Sequence, residues 1–221
     1  MSEDYAKNGI PEGNLRINAV LNDINQFLEQ HHKTIRDYNI PEIVPNLNNH
    51  DFSSNLILEE LTIPISPEDL NGIWKLNNDQ KHIFDRILHC VEKNQPGFFF
   101  VDGPGGTGKT YLYRCLLTSV RSRGSIALAT ASSGIAALIM PGGRTAHSRF
   151  KIPISLDTNS TCNVKKQSEL ACLIGHASII IWDEAPMAHR YALEALDRLL
   201  RDLANNNLLF GGKVVILGGD F

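Results

Sequence analysis

Apolar positions along this chain follow two different rhythms. Between residues 14 and 30, Ile17, Val20, Leu21, Ile24, Phe27 and Leu28 recur at three- and four-residue steps, the spacing that lines one face of an α-helix. That stripe carries no chemistry and reads as a structural helix. From Asn39 to Gly72, Pro41, Pro45, Pro64, Pro67 and repeated asparagines break the pattern, which predicts a linker with at most one short helix near Leu56–Leu61. Residues 1–72 are therefore expected to form an N-terminal extension, and residues 73–221 a separate domain.

Beyond Leu76 the second rhythm begins. LNNDQKHIFDRILHCVEKN places Ile83, Ile87, Leu88 and Val91 on one helical face. Short, wholly apolar runs then alternate with helical stretches. FFFV (98–101), IALAT (126–130), SIIIW (178–182) and KVVILGG (213–219) read as strands; residues 108–122, SGIAALIM and HRYALEALDRLLRDLA read as helices. Strands apolar on both sides, separated by helices, predict an α/β fold with a parallel sheet covered on both faces. Residues 141–170 show little periodicity and are expected to be a loop insertion with one short helix.

Composition narrows the class. An apolar fraction of 43% and a charged fraction of 20% belong to an ordinary globular chain. Cys90, Cys115, Cys162 and Cys172 stand far apart with no C-x-x-C pair, so neither a zinc knuckle nor a disulfide framework is indicated. The longest charge-free span, 124–143, contains Ser, Thr, Gly and Pro; it reads as a strand plus a helix, and no membrane partner is expected. The polar N-terminus, broken by Gly and Pro, does not resemble a secretory signal.

Net charge is −3, but it is unevenly spread. Residues 1–102 hold 16 acids and 8 bases, whereas 103–156 hold seven bases (Lys109, Arg114, Arg121, Arg123, Arg144, Arg149, Lys151) and no acid. Such a segment either faces phosphates or belongs to an unevenly charged surface.

One short stretch carries the chemistry. Gly103, Pro104, Gly105, Gly106, Thr107, Gly108, Lys109 and Thr110 fit G-x-x-x-x-G-K-[ST], between an apolar strand and a helix that continues through Tyr111. Glycines let consecutive N–H groups turn inward around an anion, and the helix start adds unpaired N–H groups and the positive end of a dipole. Lys109 suits the β- and γ-phosphates of a nucleoside triphosphate such as ATP, and the Thr110 hydroxyl suits Mg²⁺. A second carboxylate-bearing element is then required. SIIIWDEA supplies it, with Asp183 at a strand end to hold Mg²⁺ and Glu184 to polarise an attacking water.

GPGGTGKT, ASSGIAALIMPGGRTAHSRFKIP, IIIWDEAPM and FGGKVVILGGDF occur in that order. Together they closely resemble the Pif (petite integration frequency) family of DNA helicases of superfamily one, in wording nearest its plant and Helitron-related branch. The resemblance covers about residues 76–221. It implies a RecA-like P-loop motor lobe that couples ATP hydrolysis to 5′→3′ movement on single-stranded DNA. It assigns Gln80 to adenine recognition. It assigns Ser132, Ser133 and Gly134, together with Thr145, His147 and Ser148, to DNA contact, with Phe150 as a stacking face. Taken alone, Gln80 reads equally as a solvent-facing glutamine, His147 as a structural histidine and Phe150 as core.

In the family the GGDF block continues with a glutamine, and a second RecA-like lobe supplies an arginine to the ATP site. The resemblance therefore implies an incomplete motor that needs that lobe, or another copy acting in trans. A non-catalytic nucleotide-binding remnant and an unrelated P-loop ATPase or kinase stand as alternatives. A DNA role points to the nucleus; a mitochondrial site would call for an Arg/Ser-rich, acid-poor leader.

Overall fold

A computed structural model describes residues 55–220; the helix expected over 14–30 lies outside the described residues. The chain divides into two compact units, Met1–Leu58 and Glu59–Phe221. Helix α1 (Asn55–Leu61) spans that boundary and is followed by α2 (Pro67–Gly72) and a 3-10 turn, Ile73–Lys75. Pro67 opens α2 at its first position, where no N–H is needed, and Ser66 Oγ accepts from Glu68 N at 3.2 Å. Proline here starts a helix, where the sequence pattern alone reads it as a break.

Helix α3 (Asn78–Glu92) starts with a capping box in which Asn77 Oδ1 accepts from Gln80 N and Gln80 Oε1 accepts from Asn77 N. After it come β1 (Gly97–Asp102), α4 (Lys109–Arg121), β2 (Ile126–Ala131), α5 (Gly134–Leu138), β3 (Arg144–Thr145), α6 (Ala146–Phe150), α7 (Glu169–His176), β4 (Ala177–Asp183), α8 (Arg190–Ala204) and β5 (Val214–Gly219). The sheet order is β1-β5-β4-β2-β3, with every pairing parallel. The expected α/β architecture is therefore present, with β3 and α7 as additions that no apolar rhythm announced.

Strands β2 and β5 are buried along their whole length, and β4 almost so. β1 departs from the expectation of a strand buried on both faces. It lies at the sheet edge, with Phe98 49% and Phe100 38% exposed, while Phe99 and Val101 face the core. An apolar run cannot by itself tell a central strand from an edge strand. The core beneath the sheet joins α3, α4, β4 and β5 through Phe84, Ile87, Leu112, Leu116, Ile179 and Ile216.

The acid-free segment is neutralised from outside itself. Arg114 meets Asp69 through two bonds of 3.0 and 3.1 Å, Arg123 meets Glu92 at 2.5 Å, and Arg144 lies 3.6 Å from Glu59. Glu60 is buried between Arg149 at 2.5 Å and Arg121 at 3.7 Å. Five of the seven bases are thus matched to acids of the preceding helices. For those arginines the charge bias is met by pairing within the fold.

Candidate active site

The strands end on one side in an open cleft of about 650 Å³, lined by the phosphate loop, by Ser133, Ile135, Ala136 and Ile139, and by Asp183, Glu184, Pro186, Met187, Gly219 and Asp220. The loop from Gly103 to Gly108 joins the end of β1 to the start of α4. Gly108 caps α4 at φ +83°, a conformation that a side chain would strain. The first backbone bond of this helix runs from Leu112 N to Gly108 O. Lys109, Thr110 and Tyr111 therefore present N–H groups without helical partners, as an anion site requires.

Lys109 Nζ donates to the Gly103 carbonyl and, at 3.1 Å, to that of Pro104. Its charge is held by neutral carbonyls, partners that an entering phosphate outcompetes. Thr107 Oγ1 donates to Pro104 O at 2.9 Å and braces the loop. Gln80 touches this loop directly, its Nε2 donating to Thr107 O at 3.1 Å. Both ends of its amide are engaged, one by Asn77 and one by the loop, so Gln80 ties α3 to the cradle. The Tyr111 side chain turns away from the cleft and donates to Gly72 O at 2.8 Å; only its backbone is available to a phosphate.

Opposite Lys109, β4 ends at Asp183, which is 6% exposed. Burial, together with the neighbouring Glu184 carboxylate, pushes Asp183 above the usual carboxylate range, while the Glu184 N–H and Lys109 act against that rise. A buried anion with a raised pKa is a group in want of a cation. Asp183 and the Thr110 hydroxyl line the same cleft and offer hard oxygen donors, which suit Mg²⁺. No cluster of three or more His, Cys, Asp or Glu that could hold a metal occurs among the described residues. One carboxylate and one hydroxyl fit an ion that draws its other ligands from phosphate and water.

Tyr113 lies fully buried beneath this point, and a Cβ on Gly218 would fall 1.8 Å from its hydroxyl and 3.1 Å from Asp183 Oδ1. Only glycine fits at 218. Burial, and then Asp183, raise the Tyr113 phenol far above its ordinary value, so it stays neutral.

The proposed DNA block separates into two kinds of residue. Ser132 Oγ donates to Glu184 O at 2.7 Å and accepts from Trp182 Nε1 at 3.0 Å. Ser133 Oγ donates to Glu184 Oε2 at 2.6 Å. Both serines therefore reach Glu184, Ser132 at its backbone carbonyl and Ser133 at its carboxylate, a link that spacing along the chain did not reveal. Gly134 is exposed, with open space where a Cβ would stand. Thr145 Oγ1 caps α6 by accepting from Ser148 N, and His147 and Ser148 are exposed on that helix. Phe150 is a correction: it is fully buried, its ring 6.3 Å from that of Trp182, and it offers no face for a base. Its place at the end of α6, where the helix turns into the core, accounts for this.

Residues 75–221 match the PIF1-like helicase family. Among curated proteins, the ATP-dependent DNA helicase PIF4 of Trypanosoma brucei brucei is 36% identical over 150 residues, 65% of this chain and 18% of the relative. The human ATP-dependent DNA helicase PIF1 is 32% identical over 141 residues, 61% of this chain and 20% of the relative. Among solved structures, Bacteroides Pif1 bound to ssDNA aligns with a TM-score of 0.53 at 27% identity, over 66% of this chain and 32% of that one. A Bacteroides Pif1 complex with ADP-AlF4 gives 0.53 at 29% identity over the same shares. The chain spans about a fifth of the length of these curated relatives. With a P-loop, a strand-end Asp-Glu pair and a parallel sheet all within the matched segment, the chain belongs to the PIF1-like helicase family.

Proposed function

We propose that this chain is the ATP-binding lobe of a DNA helicase, which acts with a second lobe or a second copy to move 5′→3′ along single-stranded DNA. The observation that carries this reading is the convergence of Lys109, Thr110, Asp183 and Glu184 on one cleft. In it, the loop N–H groups and Lys109 bind the phosphates of ATP. Thr110 and Asp183 hold Mg²⁺, which supplies charge neutralisation on the phosphates when bound. Glu184 orients a water and accepts its proton as the new P–O bond forms; the bond to the bridging oxygen breaks, and ADP leaves with its electron pair. The relatives' printed activity, ATP-dependent DNA helicase, supports extending this lobe to DNA translocation. The nucleus is the proposed place of action; a tagged chain found only in mitochondria would overturn that.

The decisive experiment measures Mg²⁺-dependent binding of a fluorescent ATP analogue, then hydrolysis with and without single-stranded DNA. Nucleotide binding that EDTA weakens is expected, together with hydrolysis that single-stranded DNA accelerates. Absence of Mg²⁺-nucleotide binding sinks the reading.

A further inference from the structure

Glu184 is held at both ends. Its backbone lies at φ 54°, ψ 35°, a left-handed conformation that a residue with a side chain adopts only where its surroundings impose it. The imposing contacts are its N–H donating to Asp183 Oδ1 at 3.0 Å and Ser132 Oγ donating to its carbonyl. The side chain is caught separately, by the 2.6 Å bond from Ser133 Oγ to Oε2, the length of a charge-assisted hydroxyl–carboxylate bond. The same Ser133 oxygen accepts from Ala136 N at 3.2 Å and caps α5. One hydroxyl therefore fixes the start of α5 and occupies a lone pair of the carboxylate that has to engage water.

The geometry has a direction. A carboxylate orients or deprotonates water through its free lone pairs, and a short bond toward α5 removes one of them and turns Oε2 to that wall of the cleft. The turn carrying Ser133 is open next to it: Gly134 is exposed, with nothing within 4 Å of the place a Cβ would take.

We propose that Ser133 is a positioning residue that restrains Glu184, and that a single DNA strand on the Ser132–Gly134 turn lifts the restraint by giving the Ser133 hydroxyl a phosphate oxygen to bond instead. DNA contact and ATP hydrolysis are then joined through one hydrogen bond. This inference rests on the reading of the chain as a DNA-dependent ATPase lobe.

The test is single-turnover hydrolysis of radiolabelled ATP with the protein in excess, which resolves slow rates, with and without oligothymidylate. Wild type is compared with Ser133→Ala, Ser133→Asp, Ser133→Thr and Glu184→Gln, alongside affinity for fluorescent ADP and for labelled oligothymidylate. Ser133→Asp keeps an acceptor for the α5 cap but cannot donate to Glu184, so it covers the case in which Ser133→Ala fails to fold. The expected result is a several-fold higher DNA-free rate in Ala and Asp at unchanged nucleotide affinity, little further rise with oligothymidylate, and wild-type behaviour in Thr. A wild-type rate that ignores oligothymidylate, or a DNA-free rate that falls in Ala and Asp, overturns the proposal while leaving the site reading intact. A wild-type rate that Glu184→Gln leaves unchanged overturns the site reading and the proposal with it.

Discussion

Two cations in this molecule, Arg149 and Lys109, look alike in the sequence and sit in opposite circumstances. Arg149 is 2% exposed and is closed in by Glu60, which also faces Arg121. Arg121 and Arg149 further donate to the carbonyls of Pro141 and Gly142. Burial pulls the Arg121 guanidinium down to about 10 against the opposing pull of Glu60. Lys109 lies in the cleft and, among the described residues, has only loop carbonyls as hydrogen-bond partners. The first arrangement locks the Pro141–Phe150 segment to α4; the second keeps a positive charge ready for a ligand. A buried ion pair resists change because breaking it strands a charge, whereas carbonyl partners are exchanged at small cost.

The largest effect expected from breaking this contrast is on stability. Glu60→Ala leaves two buried guanidiniums without their acid and is expected to cost about 3–5 kcal/mol in denaturant unfolding, with nucleotide affinity of the folded fraction unchanged. A milder loss in the paired variant Glu60→Met with Arg149→Met would sharpen the point. Next comes Lys109→Ala, which is expected to weaken Mg²⁺-nucleotide binding by about 10–100-fold, the worth of a charged hydrogen bond of roughly 1.5–3 kcal/mol, while moving stability by less than about 0.5 kcal/mol. Equal effects of both substitutions on unfolding would erase the distinction.

A third cation tests how carbonyl company behaves when burial is added. Lys213 Nζ donates to Gly175 O at 2.7 Å and Ala177 O at 3.0 Å, and burial lowers its pKa to about 8. Between that value and the ordinary one of about 10.5, the unfolded chain binds more protons than the folded one. Its contribution to stability therefore rises as pH climbs through this window and is lost as pH falls below about 8. Stability curves at pH 7.5 and 9.5 should show that slope in wild type and lose it in Lys213→Met. The smallest effect belongs to Arg123, whose pair with Glu92 is nearly half exposed on both sides; Arg123→Ala should change stability by at most about 1 kcal/mol and only at low salt.

What could be read in the sequence followed the range of the forces involved. The phosphate loop and the Asp183-Glu184 pair were legible because their chemistry demands fixed residue types at fixed local spacing. The strands were legible because burial on two faces needs unbroken apolar runs. The edge position of β1 was hidden, since strand order is settled by pairing between distant segments. So were the serine bonds to Glu184, which join residues 51 and 52 positions apart. The pairing behind the charge bias of residues 103–156 was hidden for the same reason: five of its seven bases meet acids from helices that precede it.

Trp182 gives the arrangement an optical consequence. Of the two tryptophans in the chain, Trp74 is 86% exposed, whereas Trp182 is fully enclosed with its indole N–H bonded to Ser132 Oγ. The two emit from opposite extremes of polarity, so a soluble quencher that silences Trp74 leaves the signal of the enclosed Trp182 alone. Any ligand that disturbs the Ser132 turn changes that signal's colour, and the protein thereby reports on that turn without a label.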